Sequence, residues 1–172
     1  MKKAAVIEGG YSKEKAISIK SAKTVFENLD RTKFSPTRVL IDEKEWAAYD
    51  EEGRYIIDKN DFSFTKNEIK HNFDYAFIVI HGTPGEDGKL QGYLDMVGVP
   101  YNTSSAAIMA LTFQKFHCNQ FLKNFGINVP EAVLIKPEDI IDEKKTIKKV
   151  GLPCFVKPTN GGSSFGVTKV KK

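Results

Sequence analysis

Cysteine is scarce in this sequence. Cys118 and Cys154 are the only two in 172 residues, and neither has the spacing of a metal-binding pair. Cys118 falls on an apolar helical stripe with Phe121, Leu122 and Phe125, so it reads as a packed thiol, in keeping with a reducing compartment. No apolar run approaches the roughly 20 residues of a membrane span. Two lysines precede apolar residues at the start, as in a signal peptide, but Glu8 and two glycines end that stretch at once. These absences predict a cytoplasmic protein that neither spans nor enters a membrane. An excess of charge is missing too: 26 basic against 22 acidic side chains leave +4, too little and too scattered for a nucleic-acid partner. The late lysines, Lys144 to Lys149 and Lys169 to Lys172, read as a solvated helix face and a chain end. Internal repeats and low-complexity tracts are absent as well.

With 41% hydrophobic and 28% charged residues, the chain can bury a core of its own. Ala4 to Glu8 predicts a strand, followed by a glycine turn and a helix capped by Ser12, with Ile19, Ala22, Val25, Phe26 and Leu29 on one face. Pro36 to Ile41 predicts a second strand and Tyr55 to Ile57 a short one, whereas Asn60 to Asn72 reads as loop or weak helix. The apolar run Tyr75 to Ile80 predicts a buried strand. The helix after it carries Leu90, Tyr93, Leu94 and Val97 at i, i+3, i+4 and i+7. This is a βαβ-type block with a parallel sheet flanked by helices. Beyond a junction at Asn102 to Ser105, the pattern predicts a helix over 106–111 and a second helix from a Thr112 cap to Gly126. A strand over 131–135, a helix over 137–149, and strands over 153–157 and 165–170 follow. That last block has no closing element, which reads as a second domain cut short.

Three stretches carry chemistry. Gly9-Gly10-Tyr11-Ser12-Lys13-Glu14 turns from strand to helix, and its glycines let a ligand approach the backbone. Glu14 there is either a ligand-facing carboxylate or a helix N-terminal charge contributing about 0.3–1 kcal/mol. His81-Gly82-Thr83-Pro84-Gly85-Glu86-Asp87-Gly88-Lys89-Leu90-Gln91-Gly92 follows a buried strand, where α/β proteins bind ligands. His81 beside two acids is either a satisfied structural residue or a ligand contact. Lys157-Pro158-Thr159-Asn160-Gly161-Gly162-Ser163-Ser164-Phe165-Gly166 ends a strand with a lysine and a hydroxyl-rich glycine loop suited to phosphate, without being a Walker A loop.

Taken in order, the three resemble the motifs of D-alanine–D-alanine ligases in the ATP-grasp superfamily. Gly-Gly-x-Ser-x-Glu is matched by Gly9 to Glu14, and His-Gly-x-x-Gly-Glu-Asp-Gly-x-x-Gln-Gly by His81 to Gly92. Gly-x-Pro-Tyr is matched by Gly98 to Tyr101, and Val-Lys-Pro with Gly-Ser-Ser-x-Gly-Val by Val156 to Val167. The resemblance covers essentially the whole chain. It departs at Asn102-Thr103-Ser104, where the family usually reads Thr-Gly-Ser, and at Ala16 and Gln114, where the family often has acids.

The resemblance implies an α/β fold: an N-terminal parallel-sheet, Rossmann-like pre-ATP-grasp domain over 1–104, then an incomplete α+β ATP-grasp domain over 105–172. It implies that Glu14 and Ser163 belong to the catalytic hydrogen-bond network and that Glu14 and His81 bind the first D-alanine. Lys115, Lys157, Gly162, Ser163 and Ser164 would hold ATP. No metal ligand is expected in these residues, the Mg²⁺ ligands of the family lying further along. The implied reaction is ATP-dependent ligation of two D-alanines through a D-alanyl phosphate, for peptidoglycan precursor synthesis, with the 172-residue piece alone inactive. The partners implied are D-alanine, ATP and, as is common in the family, a second copy of the chain. A D-alanine–D-lactate ligase and a non-catalytic binding module are the alternatives.

Overall fold

The computed structural model describes residues 1–171 and divides into two compact units, Met1–Ala110 and Leu111–Lys172, so that the division falls within one helix. The chain is mixed α/β.

In the first unit, β1 (Lys2–Gly9) is buried from Ala4 onward because its apolar residues face neighbours on both sides of the sheet. After α1 (Lys15–Asn28) the chain returns as β2 (Phe34–Ile41), parallel to β1. The helix starts two residues later than expected. Glu14, not Ser12, stands at its cap position, and the Ser12 hydroxyl accepts the Glu14 N–H (3.1 Å) in the turn ahead of the helix.

From β2 the chain runs as an antiparallel meander through β3 (Trp46–Tyr49), β4 (Arg54–Asp58), β5 (Ser63–Lys66) and β6 (Ile69–His71). The expectation of loop or weak helix over 60–72 is therefore corrected to two strands. Their turn, Asn67 and Glu68, takes left-handed backbone angles without a glycine (φ 49° and 64°), which hides it from a sequence reading. The chain then crosses to β7 (Tyr75–Ile78), parallel to β1 on its other side, and enters α2 (Lys89–Val97). The sheet order is β6-β5-β4-β3-β2-β1-β7, so its parallel part is the three strands β2, β1 and β7.

Ile7, Ile41, Phe62, Leu90 and Leu94 form the centre of the core on one face, where Trp46, Tyr55 and Tyr93 pack against it. The opposite strand residues face the side that carries Glu8, which is 1% exposed. Arg38 grips Glu8 through Nε and Nη2 (2.8–3.0 Å), and the Tyr49 hydroxyl donates to it. Burial pushes the Glu8 carboxyl above its usual range, against the pull of Arg38.

In the second unit, α3 (Ala106–Phe113) leads into α4 (Lys115–Asn124), and Thr112 lies inside α3 instead of capping α4. Residues 131–135 form no strand, since no neighbouring strand among the described residues takes up their backbone groups. Only the end of the expected helix forms, as α5 (Glu143–Val150), capped by Asp142 accepting the Lys145 N–H (3.0 Å). β8 (Cys154–Val156) and β9 (Thr168–Val170) pair as a two-stranded antiparallel ribbon, shorter than predicted.

Candidate functional site

The two N-terminal motifs occupy the C-terminal ends of β1 and β7, adjacent parallel strands, which is where such sheets bind ligands. Their turns interlock. The Tyr11 N–H donates to Thr83 O (2.9 Å), and the Ser12 hydroxyl donates to His81 O (2.8 Å) while accepting the Glu14 N–H. One hydroxyl thus holds the backbone of both candidate substrate residues. Glycine makes the approach feasible: a Cβ on Gly10 would lie 2.6 Å from Ile80 Cγ2, and one on Gly82 2.9 Å from Ser12 Cβ. One turn into α1, buried Ser18 accepts the Gly9 N–H (3.0 Å) and donates to Val79 O (2.9 Å), tying the two strand ends together.

Within the second turn both acids are engaged. Glu86 accepts the Gly82 N–H (2.7 Å) and returns its own N–H to Gly82 O (2.8 Å). Asp87 pairs with Lys89 (2.7 Å); although burial opposes it, the hydrogen bonds from Lys89 and Thr83 hold its carboxyl below the usual range. Fully buried Gln91 donates to Gly85 O (2.7 Å) and Thr103 Oγ1 (2.9 Å). Asn102, one of the departures from the family pattern, accepts the Ile78 N–H (2.8 Å) and donates to Ile78 O (3.3 Å).

The phosphate-type loop lies in the second unit between β8 and β9. Lys115, the first residue of α4, ties to it twice, through its N–H to Thr159 O (2.8 Å) and through Nζ to Gly161 O (2.5 Å). Ser163 and Ser164 are both left-handed (φ 50° and 59°), each at a cost of about 1–2 kcal/mol for a non-glycine residue. Strain of this kind collects where a loop is shaped for a ligand. Lys115, Lys157, Gly161, Gly162, Ser163 and Ser164 line a cavity of about 320 Å³. Two ammonium groups and successive loop N–H groups and hydroxyls are a phosphate-binding set. The lysines, loop N–H groups and hydroxyls of this set suit the phosphates of a nucleotide, and among the described residues no cluster of three histidine, cysteine, aspartate or glutamate side chains is placed to hold a metal ion.

Residues 3–104 match the family described as D-ala D-ala ligase N-terminus, and residues 121–172 match its C-terminus. The chain belongs to the D-alanine–D-alanine ligase family. It is 48% identical over 173 residues to the D-alanine–D-alanine ligase of Parabacteroides distasonis, covering 99% of this chain and 52% of that protein. It is also 48% identical over 168 residues to that of Porphyromonas gingivalis, covering 96% and 51%. This family member spans about half the length of the curated relatives it matches. Among solved structures, the D-alanine–D-alanine ligase of Coxiella burnetii superimposes with a TM-score of 0.89 at 27% identity, over 100% of this chain and 57% of that one. The VanG D-Ala:D-Ser ligase of Enterococcus faecalis gives 0.81 at 31%, over 99% and 56%.

The structure thus places Glu14 and His81 on interlocked turns of the first unit, and Lys115, Lys157, Gly162, Ser163 and Ser164 around one cavity of the second. Sequence reasoning missed Ser12 as the link between Glu14 and His81, and Ser18 and Asn102 as braces. Each acts across more than 20 residues except at its own turn, so motif spacing carries no signal for them.

Proposed function

We propose that this chain supplies the first amino-acid site and the phosphate site of an ATP-dependent D-alanine–D-alanine ligase. The observation that carries the proposal is the Ser12 hydroxyl bonded to both Glu14 N–H and His81 O, which puts the two motif turns of the family on one ligand-facing edge. In this reading residues 1–104 are the substrate-binding domain and 105–172 the first part of an ATP-grasp domain. Glu14 takes the ammonium of the first D-alanine and His81 lies beside it. Ser163 takes part in the hydrogen-bond network that orients the substrate. Lys115 and Lys157 neutralise charge on the transferring phosphoryl group, while Gly162, Ser163 and Ser164 cover it and exclude water.

A carboxylate oxygen of the first D-alanine attacks the γ-phosphorus, releasing ADP and leaving a D-alanyl phosphate. The amine of the second D-alanine attacks the acyl carbon, phosphate leaves and the amine loses a proton. The chemistry demands positioning and charge stabilisation more than covalent help from the protein, which suits lysines and a glycine-serine loop. Mg²⁺ on the ATP phosphates, a homodimer and a cytoplasmic setting complete the reading. No helix among the described residues is long and apolar enough to cross a membrane.

Calorimetry of the chain with D-alanine tests the first site directly. D-alanine binding that Glu14→Gln weakens supports it, and binding indifferent to that change sinks it. Glu14→Gln should lower stability by at most about 1 kcal/mol, since its charge sits at a helix N-terminus. The 172 residues alone should form no D-alanyl-D-alanine, and detectable product would overturn the division of labour proposed here. A different second substrate is the alternative, since a D-Ala:D-Ser ligase matches this chain at 31% identity beside D-alanine–D-alanine ligases at 27–48%. Joining this chain to the second half of the Parabacteroides distasonis protein and offering D-alanine, D-serine and D-lactate separates first-site from second-site selectivity.

A further inference from the structure

The turn that carries Ser12 and Glu14 is tied to the antiparallel meander as well as to the second motif. The Gly10 N–H donates to Ile41 O (2.8 Å), Lys15 pairs with Asp42 (2.5 Å), and the Trp46 Nε1–H donates to the Tyr11 hydroxyl (3.2 Å). All three ties reach the same place, the β2–β3 corner. The third differs from the others because Trp46 is itself locked on several sides. Its ring meets Tyr93 edge-on (centroids 5.1 Å apart, 87°) and Phe62 likewise (6.4 Å, 83°), with the Lys59 ammonium 5.0 Å from its centroid. Tyr93 belongs to α2, the helix that opens within the second motif at Lys89, and its hydroxyl donates back to Lys59 O (3.0 Å). Trp46 therefore bonds the first motif and packs on the scaffold of the second.

Two consecutive glycines with positive φ, Gly9 and Gly10, precede Tyr11, so the turn has a pivot where the chain has least stiffness of its own. Tyr11 is the first side chain beyond the pivot that can be gripped. We propose that Trp46 is a positioning residue for the first amino-acid site, acting through the Tyr11 hydroxyl to fix the turn that presents Ser12 and Glu14. This rests on the D-alanine reading above. Holding a ligand group in place ahead of binding removes an ordering cost from the bound state, so the loss on cutting the tie falls on binding.

Trp46 is the sole tryptophan of the chain, so its emission reports this contact without labelling. The experiment titrates the chain with D-alanine while following both heat and Trp46 fluorescence, for the wild type, Tyr11→Phe and Trp46→Phe. The expected result is an emission change that tracks the calorimetric isotherm in the wild type. Tyr11→Phe, which keeps the ring and removes the acceptor, should abolish that change and weaken binding several-fold. Trp46→Phe should weaken binding by a similar factor in the calorimeter, with thermal midpoints of both variants close to wild type. D-alanine binding with no emission change, or binding of wild-type strength in both variants, overturns the positioning role and leaves the D-alanine reading standing. No binding heat in the wild type overturns the D-alanine reading, and the positioning role falls with it.

Discussion

In the first unit Ile7, Ile41, Leu90 and Leu94 are no more than 1% exposed, whereas in the second no described residue is buried, and Phe121, Phe125, Phe155 and Phe165 are 47–70% exposed. The two units also shape their candidate ligand loops differently. The first turns its motifs on strand ends set in a core and then cross-links them through Ser12 and Ser18. The second holds its loop by the two Lys115 ties and by strained backbone at Ser163 and Ser164. Packing over a core fixes one site, and local hydrogen bonding with little burial fixes the other. The second unit sets its candidate loop on elements that leave these phenylalanines exposed.

The largest contrast is expected between ion pairs. Arg38→Met would strand a carboxylate that is 1% exposed and should cost about 3–5 kcal/mol, whereas Lys123→Met, which breaks the half-exposed pair with Glu131 (2.5 Å), should cost nothing measurable by urea unfolding. The pH dependence has a definite sign. A carboxyl raised by burial favours the fold below its ordinary range and loses that contribution as pH rises through the folded value. Without Arg38 the carboxyl rises further, so the variant's deficit should grow from pH 4 to pH 7, and a deficit flat with pH would show that Glu8 relaxes into water.

Core truncation comes next. Leu94→Ala should lose about 2–5 kcal/mol, against a change within about 0.5 kcal/mol for Phe125→Ala, which is 70% exposed. Equal losses would erase the distinction between the units. Ser18→Ala leaves the Gly9 N–H and Val79 O without their side-chain partner and should cost about 1–3 kcal/mol. The smallest effect concerns Asp42, whose carboxyl is held down to about 2, chiefly by the Lys15 hydrogen bond. Its contribution is present above the ordinary carboxylate range and fades as pH falls toward 2. An NMR titration should move Asp42 up toward its ordinary value in Lys15→Met, and an unmoved midpoint would mean that the backbone donors of Lys44 and Glu45 alone hold it.

Much of the fold was legible where one periodicity ruled. The apolar run of β1 and the Leu90–Leu94 stripe of α2 name their own elements and faces. The meander was not, because β5 and β6 are short, polar on one side and joined by a turn lacking glycine. Residues 131–135 show the converse, a strand-like composition with no described strand to pair with. For the candidate site, the resemblance implied Glu14, His81, Lys115, Lys157 and the serines, because the three motifs stand together in the family's order. Spacing could not name Trp46, Ser18 or Asn102, whose bonds to Tyr11, Val79 and Ile78 span 24 to 61 residues and form only once the sheet is built.

Asn102 has a consequence beyond the site. β7 is the last strand of its sheet, and Ala76 and Ile78 turn their backbone groups outward along that rim. Pro100 O takes the Ala76 N–H (2.8 Å), and the Asn102 amide occupies both groups of Ile78, as a neighbouring strand would. A side chain here imitates a further strand, so the rim offers no open ladder to a stray polypeptide. The substitution that departs from the family pattern therefore guards against edge-to-edge aggregation.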